Sequence, residues 1–529
     1  MPTLLPCGER AFLVELPSLD AVLALDRRLR EALRVEPWGR EVEDVVPAAR
    51  TLMVAVHEPG ALRAVREAVA PVAADVARAA DAPLGASGGA GTVVEIPVVY
   101  DGPDLDDVAA HTGLSVDEVV AAHTGTPWRV GFGGFAPGFA YLVDGDPRME
   151  VPRRSSPRTS VPPGSVALAG TFSAVYPRAS PGGWQLIGRT NLALWDVSRT
   201  PPALLQPGDL VRFVVSGADV PPPVEESGDQ DTPTHQGHPG LVVTRSGPQT
   251  LVQDSGRPGW KHVGVGRSGA ADLGALGLAN RLVGNQPDAA GLEVTFGGLT
   301  VVATASLCVA VTGAQAPASV NGRAVEHASR IYLTAGDVLA LGMPTVGLRS
   351  YLAVSGGLAS RVVLGSRSTD TMAGLGPAKV TTGDVLAVGP SARLPALEAY
   401  TPMPPRIGEV IEVDVLPGPR DAWVGGLDAL LEGAWTVTPE CDRIGVRLTG
   451  EPLTRAAAFE GRELPSEGVM RGAIQVPANG LPVLFLNDHP VTGGYPVVGV
   501  LTEASSDRVA QARPGQPLRF RLAKGVPPT

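Results

Sequence analysis

The spacing of apolar residues changes along the chain, and the changes divide it. Ala11-Phe-Leu-Val-Glu-Leu16 and Thr51-Leu-Met-Val-Ala-Val56 are apolar runs of strand length. Val22, Leu25, Leu29 and Leu33, by contrast, recur three or four apart, as on one face of a helix. Residues 61–80 are rich in alanine and valine and read as a second helix, which Pro71 is expected to kink or split. Strand, helix, strand, helix predicts a small α+β domain over residues 1–90, ending in a glycine, alanine and serine spacer at 85–91. From Val93 onward, short apolar segments bounded by glycine and proline predict mostly strands. Two helical interludes interrupt them, at 104–123 and 272–283. In the first, Asp106, Asp107, Asp117 and Glu118 are the acids that helix starts favour.

Residues 216–239 lack apolar periodicity and are rich in proline and polar groups. They read as an exposed, poorly ordered linker in which His235 and His238 are solvated. A shorter proline-containing joint spans 394–406. The resulting divisions are 1–90, a barrel-like 91–215, the linker 216–239, a β-rich 240–400 and a β-rich 401–529.

One pattern occurs twice. Val161-Pro-Pro-Gly-Ser-Val166, Ser180-Pro-Gly-Gly-Trp184 and Gln206-Pro-Gly-Asp209 return in outline as Ala473-Ile-Gln-Val-Pro477, Val491-Thr-Gly-Gly-Tyr495 and Arg513-Pro-Gly-Gln516. In each copy a small-apolar strand leads to a Gly-Gly-aromatic turn, then to a Pro-Gly turn and a strand ending Arg-Phe. Such repetition predicts two related β modules, with residues 93–215 and about 405–525 sharing a barrel topology and a cleft between them. Gly336-Asp337 and Gly383-Asp384 echo the Gly208-Asp209 turn.

Composition narrows the function. With 65 glycines, 51 prolines and only 5% aromatics in 529 residues, the chain is suited to short strands and tight turns. A net charge of -11 excludes a nucleic-acid binder, which needs a basic face. Lysine stands only at 261, 379 and 524, so Schiff-base and P-loop chemistry have few candidates. Cys7, Cys308 and Cys441 are scattered without metal-site spacing, which suits a reducing compartment. Neither a signal peptide nor a membrane-length apolar stretch is evident, so the expectation is a soluble cytoplasmic protein with no membrane partner.

Four constellations offer chemistry. Gly131-Phe-Gly-Gly-Phe-Ala-Pro-Gly-Phe-Ala-Tyr141 combines backbone access with aromatic surface. Arg153, Arg154, Arg158 and Arg189, near prolines and the Gly182-Gly183-Trp184 turn, offer guanidinium forks to carboxylate or phosphate. Loops carrying Arg257 and Ser268, ahead of the helix at Asp272, offer an anion nest. Asp442-Arg443, Glu467 and Asp488-His489 with Thr492-Gly493-Gly494-Tyr495 supply carboxylates, an imidazole and a second Gly-Gly turn. If the modules face each other, Arg189 and Asp488 should meet in one cleft as opposite charges. No residues present a resident metal site, and no serine-hydrolase elbow stands in a strand-to-helix context.

These motifs carry a family likeness. Gly131-Phe132 with Pro137-Gly-Phe-Ala-Tyr-Leu142, Pro157-Arg158 and Ser180-Pro-Gly-Gly-Trp-Gln-Leu-Ile-Gly-Arg-Thr190 resemble the B-type subunit of 5-oxoprolinase, also called allophanate hydrolase subunit 1. Gln253-Asp254, Gly256-Arg-Pro-Gly259, Ala279-Asn-Arg-Leu-Val-Gly-Asn285, Leu364-Gly-Ser-Arg-Ser-Thr-Asp370, Ser466-Glu-Gly468 and Thr492-Gly-Gly-Tyr-Pro496 resemble its C-type subunit, also called allophanate hydrolase subunit 2. The resemblance implies a mainly β protein with some α, tandem cyclophilin-like β-barrel modules preceded by a small α+β domain. It further implies ATP-dependent opening of 5-oxoproline to glutamate with a separate A-type subunit, and leaves a homo-oligomer open.

In that reading ATP phosphorylates the lactam oxygen, Arg158, Arg189 and Arg443 offset phosphate charge, and Asp442 or Asp488 holds Mg²⁺. Arg189, Asp442, Asp488 and His489 are the catalytic candidates. Arg153, Arg158, Gly182, Gly183, Trp184, Arg257, Ser268, Arg443, Glu467, Thr492, Gly493, Gly494 and Tyr495 are the substrate or nucleotide candidates. The same modules resemble the carboxyltransferase domain of urea carboxylase, which would need biotin supplied in trans. A third reading is a non-catalytic regulator of a sensor histidine kinase.

Overall fold

The computed structural model of the protein describes residues 2–80, 92–217, 237–391 and 408–524. The 85–91 spacer and the 394–406 joint lie outside these residues, as does the 216–239 linker apart from its ends. The strand His238–Ser246 begins inside the expected linker, with His238 exposed.

The N-terminal domain is an antiparallel sheet ordered Thr3–Pro6, Ala11–Glu15, Thr51–Val56, Val42–Pro47. Helices Leu19–Val35 and Leu62–Ala80 cover one face, burying Phe12, Val14, Val54 and Val56 against Val22, Leu25, Val65 and Val69. Ser18 starts the first helix by accepting the Ala21 N–H at 3.2 Å. The second helix runs on through Pro71, so the expected split does not occur. Val65 and Val69 before the proline and Ala73 and Val76 after it are all in the core, and this packing holds both sides in line despite the lost backbone bond.

The other face of that sheet is also covered, and by the far end of the chain. Ala11, Leu13, Met53 and Ala55 pack with Val469, Ala473, Phe485, Val491, Val497 and Val500. Arg10 bridges Glu43 and Glu503, and the Ala49 N–H donates to the Ser466 carbonyl at 3.1 Å. Residues 2–80 therefore sit on the last domain as well as beside the first barrel, which they touch through the Asp20–Arg129 ion pair at 2.7 Å.

Two barrels share one topology. The first has strands Val93–Val98, Trp128–Gly133, Ala140–Val143, Ser165–Ala169, Phe172–Val175, Gln185–Arg189 and Leu210–Val215. The second has Ile411–Pro417, Trp435–Val437, Gly445–Thr449, Ala473–Gln475, Val483–Phe485, Val497–Leu501 and Pro517–Leu522. Counted along the chain, both run round as first, sixth, fourth, fifth, third, second, seventh, with the first and seventh parallel. The second barrel is closed by its first and sixth strands; the first is closed by a bridge between Val99 and Arg189. Each has its own apolar core. The helical interlude in the first barrel is two helices, Leu105–Thr112 and Val116–Gly125, parted at Gly113 (φ 71°) and restarted by a Ser115–Glu118 capping box.

Between the barrels lies a six-stranded and a five-stranded sheet around one core, with helix Leu273–Leu282 on the five-stranded sheet. The Gly-Asp echoes have a common cause. Asp209, Asp337 and Asp384 each accept the N–H three residues back, at 2.7–2.8 Å, beside a glycine at φ 93–101°. Gln516 takes the same role with Arg513 at 3.2 Å. Among the described residues, no helix is long and apolar enough to cross a membrane.

Candidate functional site

The glycine loop of the first barrel lies against the second half of the chain. A Cβ on Gly134 would stand 2.1 Å from Thr492 Oγ1, and one on Gly133 2.7 Å from the His262 carbonyl oxygen. A Cβ on Gly264 would meet the Ala136 carbonyl at 2.2 Å, and the Gly138 N–H donates to the Val263 carbonyl at 3.0 Å. Glycine is thus required here for close backbone approach, and what approaches is the facing loop of the same chain. The Tyr141 hydroxyl adds a hydrogen bond with Ser466; burial raises its pKa, which Arg153 and that bond pull back. Phe132, Phe135, Phe139 and Tyr141 pack with Phe172, Tyr176 and Trp184, with Phe132 stacked on Tyr141 at 4.4 Å.

Lys261, which no motif singles out in the sequence, lies at this junction. It is buried, and its Nζ donates to Met470 Sδ at 3.4 Å. Its turn is fixed by Asp44, whose two oxygens accept the N–H groups of Gly259 and Lys261, each at 3.2 Å. Burial pushes Asp44 up to about 6; the Lys261 charge opposes the rise and Glu43 adds to it. Burial and the Lys261 charge push His489 down to about 3, so its ring is neutral. His489 Nδ1 lies 2.7 Å from the Pro490 carbonyl oxygen. A carbonyl only accepts, so Nδ1 carries the proton and Nε2 keeps the lone pair.

Beside it, Asp488 is enclosed by donors. Arg443 binds it from Nε at 2.9 Å and Nη2 at 3.0 Å, Ser268 Oγ at 2.7 Å, and Thr371 from N and Oγ1 at 2.9 and 2.7 Å. Burial alone would raise the Asp488 pKa, but the charge and bonds of Arg443 and the Thr371 bonds hold it below the usual carboxylate range. Arg443 continues to Glu293 at 2.5 Å and to the Gly269 carbonyl at 2.6 Å. Arg257 is buried 3.6 Å from Asp370, where burial and Asp488 push the Asp370 pKa up. Phe135, Ser268 and Leu364, in the loops named for these motifs, hold left-handed backbone without being glycine, the kind of strain that gathers at functional sites.

Other candidates are distributed more widely. Arg154 and Arg158 both pair with Asp104, at 2.6 and 2.8 Å, and Arg153 is exposed. Gly182 pairs with Arg158 in a two-stranded ribbon, and Gly493 pairs with Glu467 in its counterpart on the second barrel. Gly183 packs on Pro157, while Gly494 and Tyr495 are exposed. Glu467 is buried and held by Arg420, which also binds Glu15 at 2.8 Å. Asp442 is exposed and accepts the N–H groups of Ile444 and Gly445 at 2.7 and 3.0 Å. Arg189 does not join Asp488. Its main chain closes the first barrel against Val99, and its guanidinium pairs with the nearby Asp101 at 2.9 Å.

Comparison with known proteins points to one domain family. A model described as carboxyltransferase domain, subdomain C and D, matches residues 2–205, and one for subdomain A and B matches 263–522. The chain is 39% identical to the C-type subunit of 5-oxoprolinase from Escherichia coli K12 over 285 residues, 53% of this chain and 90% of that protein. It is 54% identical to the B-type subunit of 5-oxoprolinase from Escherichia coli O157:H7 over 124 residues, 23% of this chain and 57% of that protein. Urea amidolyase of Lachancea kluyveri is 33% identical over 305 residues, 53% of this chain but 16% of that protein. The crystal structure of TTHA0988 superposes with a TM-score of 0.83 at 33% identity, over 97% of this chain and 100% of that one.

Proposed function

The chain belongs to the carboxyltransferase-domain family, with both halves of that domain in one polypeptide, and from this we propose that it is the fused B-type and C-type component of a 5-oxoprolinase. The observation that carries the reading is the junction itself. Gly133-Gly134 of the B-type half meets His262 and Thr492 of the C-type half, so fusion brings both motif sets to one place. In this reading the junction binds the lactam, and the neutral His489 offers Nε2 as an acceptor for a lactam N–H.

ATP and Mg²⁺ are assigned to the enzyme assembled with its A-type subunit, in a reducing cytoplasm that suits the chain's three free cysteines. When bound, ATP would supply the phosphoryl group that activates the amide. Arg443, Arg257 and Ser268 are enclosed and hold protein groups, and Asp488 already accepts from Arg443, Ser268 and Thr371. These residues do not fit an open triphosphate site, and no step is routed through them.

The test combines the purified chain with ATP, 5-oxoproline and the A-type subunit. Glutamate and phosphate should form together, and only with both proteins present. The similarity to urea amidolyase supports a second reading, a biotin-dependent carboxyltransferase. Carboxylation of urea with a biotin carboxylase and its carrier, without 5-oxoproline opening, would replace the first reading by the second.

A further inference from the structure

Of the chain's three lysines, Lys379 and Lys524 are exposed and Lys261 is buried, 3% exposed. Among the described residues, no carboxylate reaches ion-pair distance of its ammonium; its hydrogen bond goes to the thioether of Met470. A thioether is a weak acceptor and offsets no charge. Asp44, whose buried carboxyl feels the Lys261 charge, turns both oxygens to the backbone N–H groups of Gly259 and Lys261. His489, which feels the Lys261 charge, is neutral. Buried cations are ordinarily paired, because taking a charge out of water without a counter-ion is costly. The buried arginines of the neighbouring cluster obey that rule: Arg443 faces Asp488 and Glu293, and Arg257 faces Asp370.

A second polar group at the junction is also unsatisfied. Thr492 Oγ1 is buried without a hydrogen bond, against Gly134. Thr492 follows His489 by three residues, and Gly133, next to Gly134, touches the carbonyl of His262, next to Lys261. The turn leading to Lys261 reaches the surface at the exposed Pro258 and Gly259. A buried cation outside ion-pair distance of any described carboxylate, a hydroxyl without a hydrogen bond and a neutral imidazole acceptor thus belong to one junction.

We propose that Lys261 is the anion-recognising residue of this junction, and that its complement is the carboxylate of a small lactam acid. The proposal rests on the 5-oxoprolinase reading and sharpens it. A lactam acid supplies a carboxylate for the ammonium, a carbonyl for the Thr492 hydroxyl and an N–H for His489 Nε2. Urea and a simple lactam supply the amide groups but leave the ammonium unpaired. A site with a buried polar group discriminates strongly against a ligand that cannot pair it.

The full chain labelled with [¹³C]lysine gives three lysine side-chain signals, assigned with Lys379→Arg and Lys524→Arg. Titration with 5-oxoproline should move the Lys261 signal, and 2-pyrrolidinone or urea should not. With ATP and the A-type subunit, Lys261→Met, which fills the same space beside Met470, should raise the KM for 5-oxoproline about tenfold or more and change kcat less. A Lys261 signal unmoved by 5-oxoproline under conditions of turnover, an equal response to 2-pyrrolidinone, or an unchanged KM in Lys261→Met overturns the proposal. If Lys261→Met fails to fold, the titration decides. Lack of turnover by the wild-type pair together with a Lys261 shift would overturn the 5-oxoprolinase reading and leave anion recognition standing.

Discussion

Asp44 accepts the backbone N–H of Lys261 at 3.2 Å across 217 positions of sequence, joining the first domain to the turn that follows the strand Gln249–Gln253 of the second half. The same carboxylate accepts Gly259, so one side chain fixes both ends of the turn.

The Asp44 carboxyl is pushed up to about 6 by burial, against the pull of Lys261 and with a further push from Glu43. The folded state therefore holds this proton more tightly than the unfolded chain. Stability from this group falls as pH rises from about 4 to 6 and stays lower above, by at most about 3 kcal/mol. Asp44→Asn does not titrate. In urea unfolding, the stability of Asp44→Asn relative to wild type should improve by about 2–3 kcal/mol between pH 4 and pH 7. A difference independent of pH would refute this.

Arg443 balances two buried carboxylates, Asp488 and Glu293. Arg443→Met should cost about 3–5 kcal/mol, because it leaves those charges enclosed without a cation. Adding Asp488→Asn and Glu293→Gln should return part of the loss. Denaturant midpoints of the single and triple variants measure both, and a triple variant less stable than the single would show that charge balance is not the cause.

Gly134→Ala would drive a Cβ to within 2.1 Å of Thr492 Oγ1. Overpacking of this kind typically costs about 1–3 kcal/mol. Here the loss should appear mainly as weaker cohesion between the halves. Combining it with Thr492→Ala should recover a portion, and a double-mutant cycle with purely additive effects would place the strain elsewhere.

Cleaving the chain between residues 218 and 236 should leave the two pieces together. The seam of Leu13, Met53 and Ala55 with Val469, Phe485 and Val500, and the Arg10–Glu503 pair, both cross the cut. Gel filtration of the nicked protein at micromolar concentration is expected to give one peak; separate peaks would mean the seam is too weak to hold.

Much of the barrel architecture was legible because it is written locally. Gly208-Asp209, Gly336-Asp337 and Gly383-Asp384 have one turn geometry wherever they occur, and the two Gly-Gly segments occupy equivalent ribbons. The helix starts at Asp106-Asp107 and Asp117-Glu118 were readable for the same reason. What escaped was long-range. Thr51–Val56 is buried at every position, and an apolar run without alternation is the mark of a strand covered on both faces. That signal was available, but it does not say that the cover is residues 469–500. Lys261 carried no motif, and only its neighbours from three domains make it unusual. Arg189 was placed with Asp488 by the symmetry of the repeat, yet the strand bearing it closes the first barrel beside Asp101.

The covering of the N-terminal sheet by the last barrel has a consequence during synthesis. Leu13, Met53 and Ala55 leave the ribosome early, whereas Val497 and Val500, against which they pack, emerge more than 400 residues later. At about 5–20 residues per second, one apolar face waits roughly 20–90 s for its cover. A nascent chain with such a delay is a natural client for chaperones that shield strands. Slow codons or early stops in the second half should therefore show themselves first as aggregation of an otherwise correctly folded beginning.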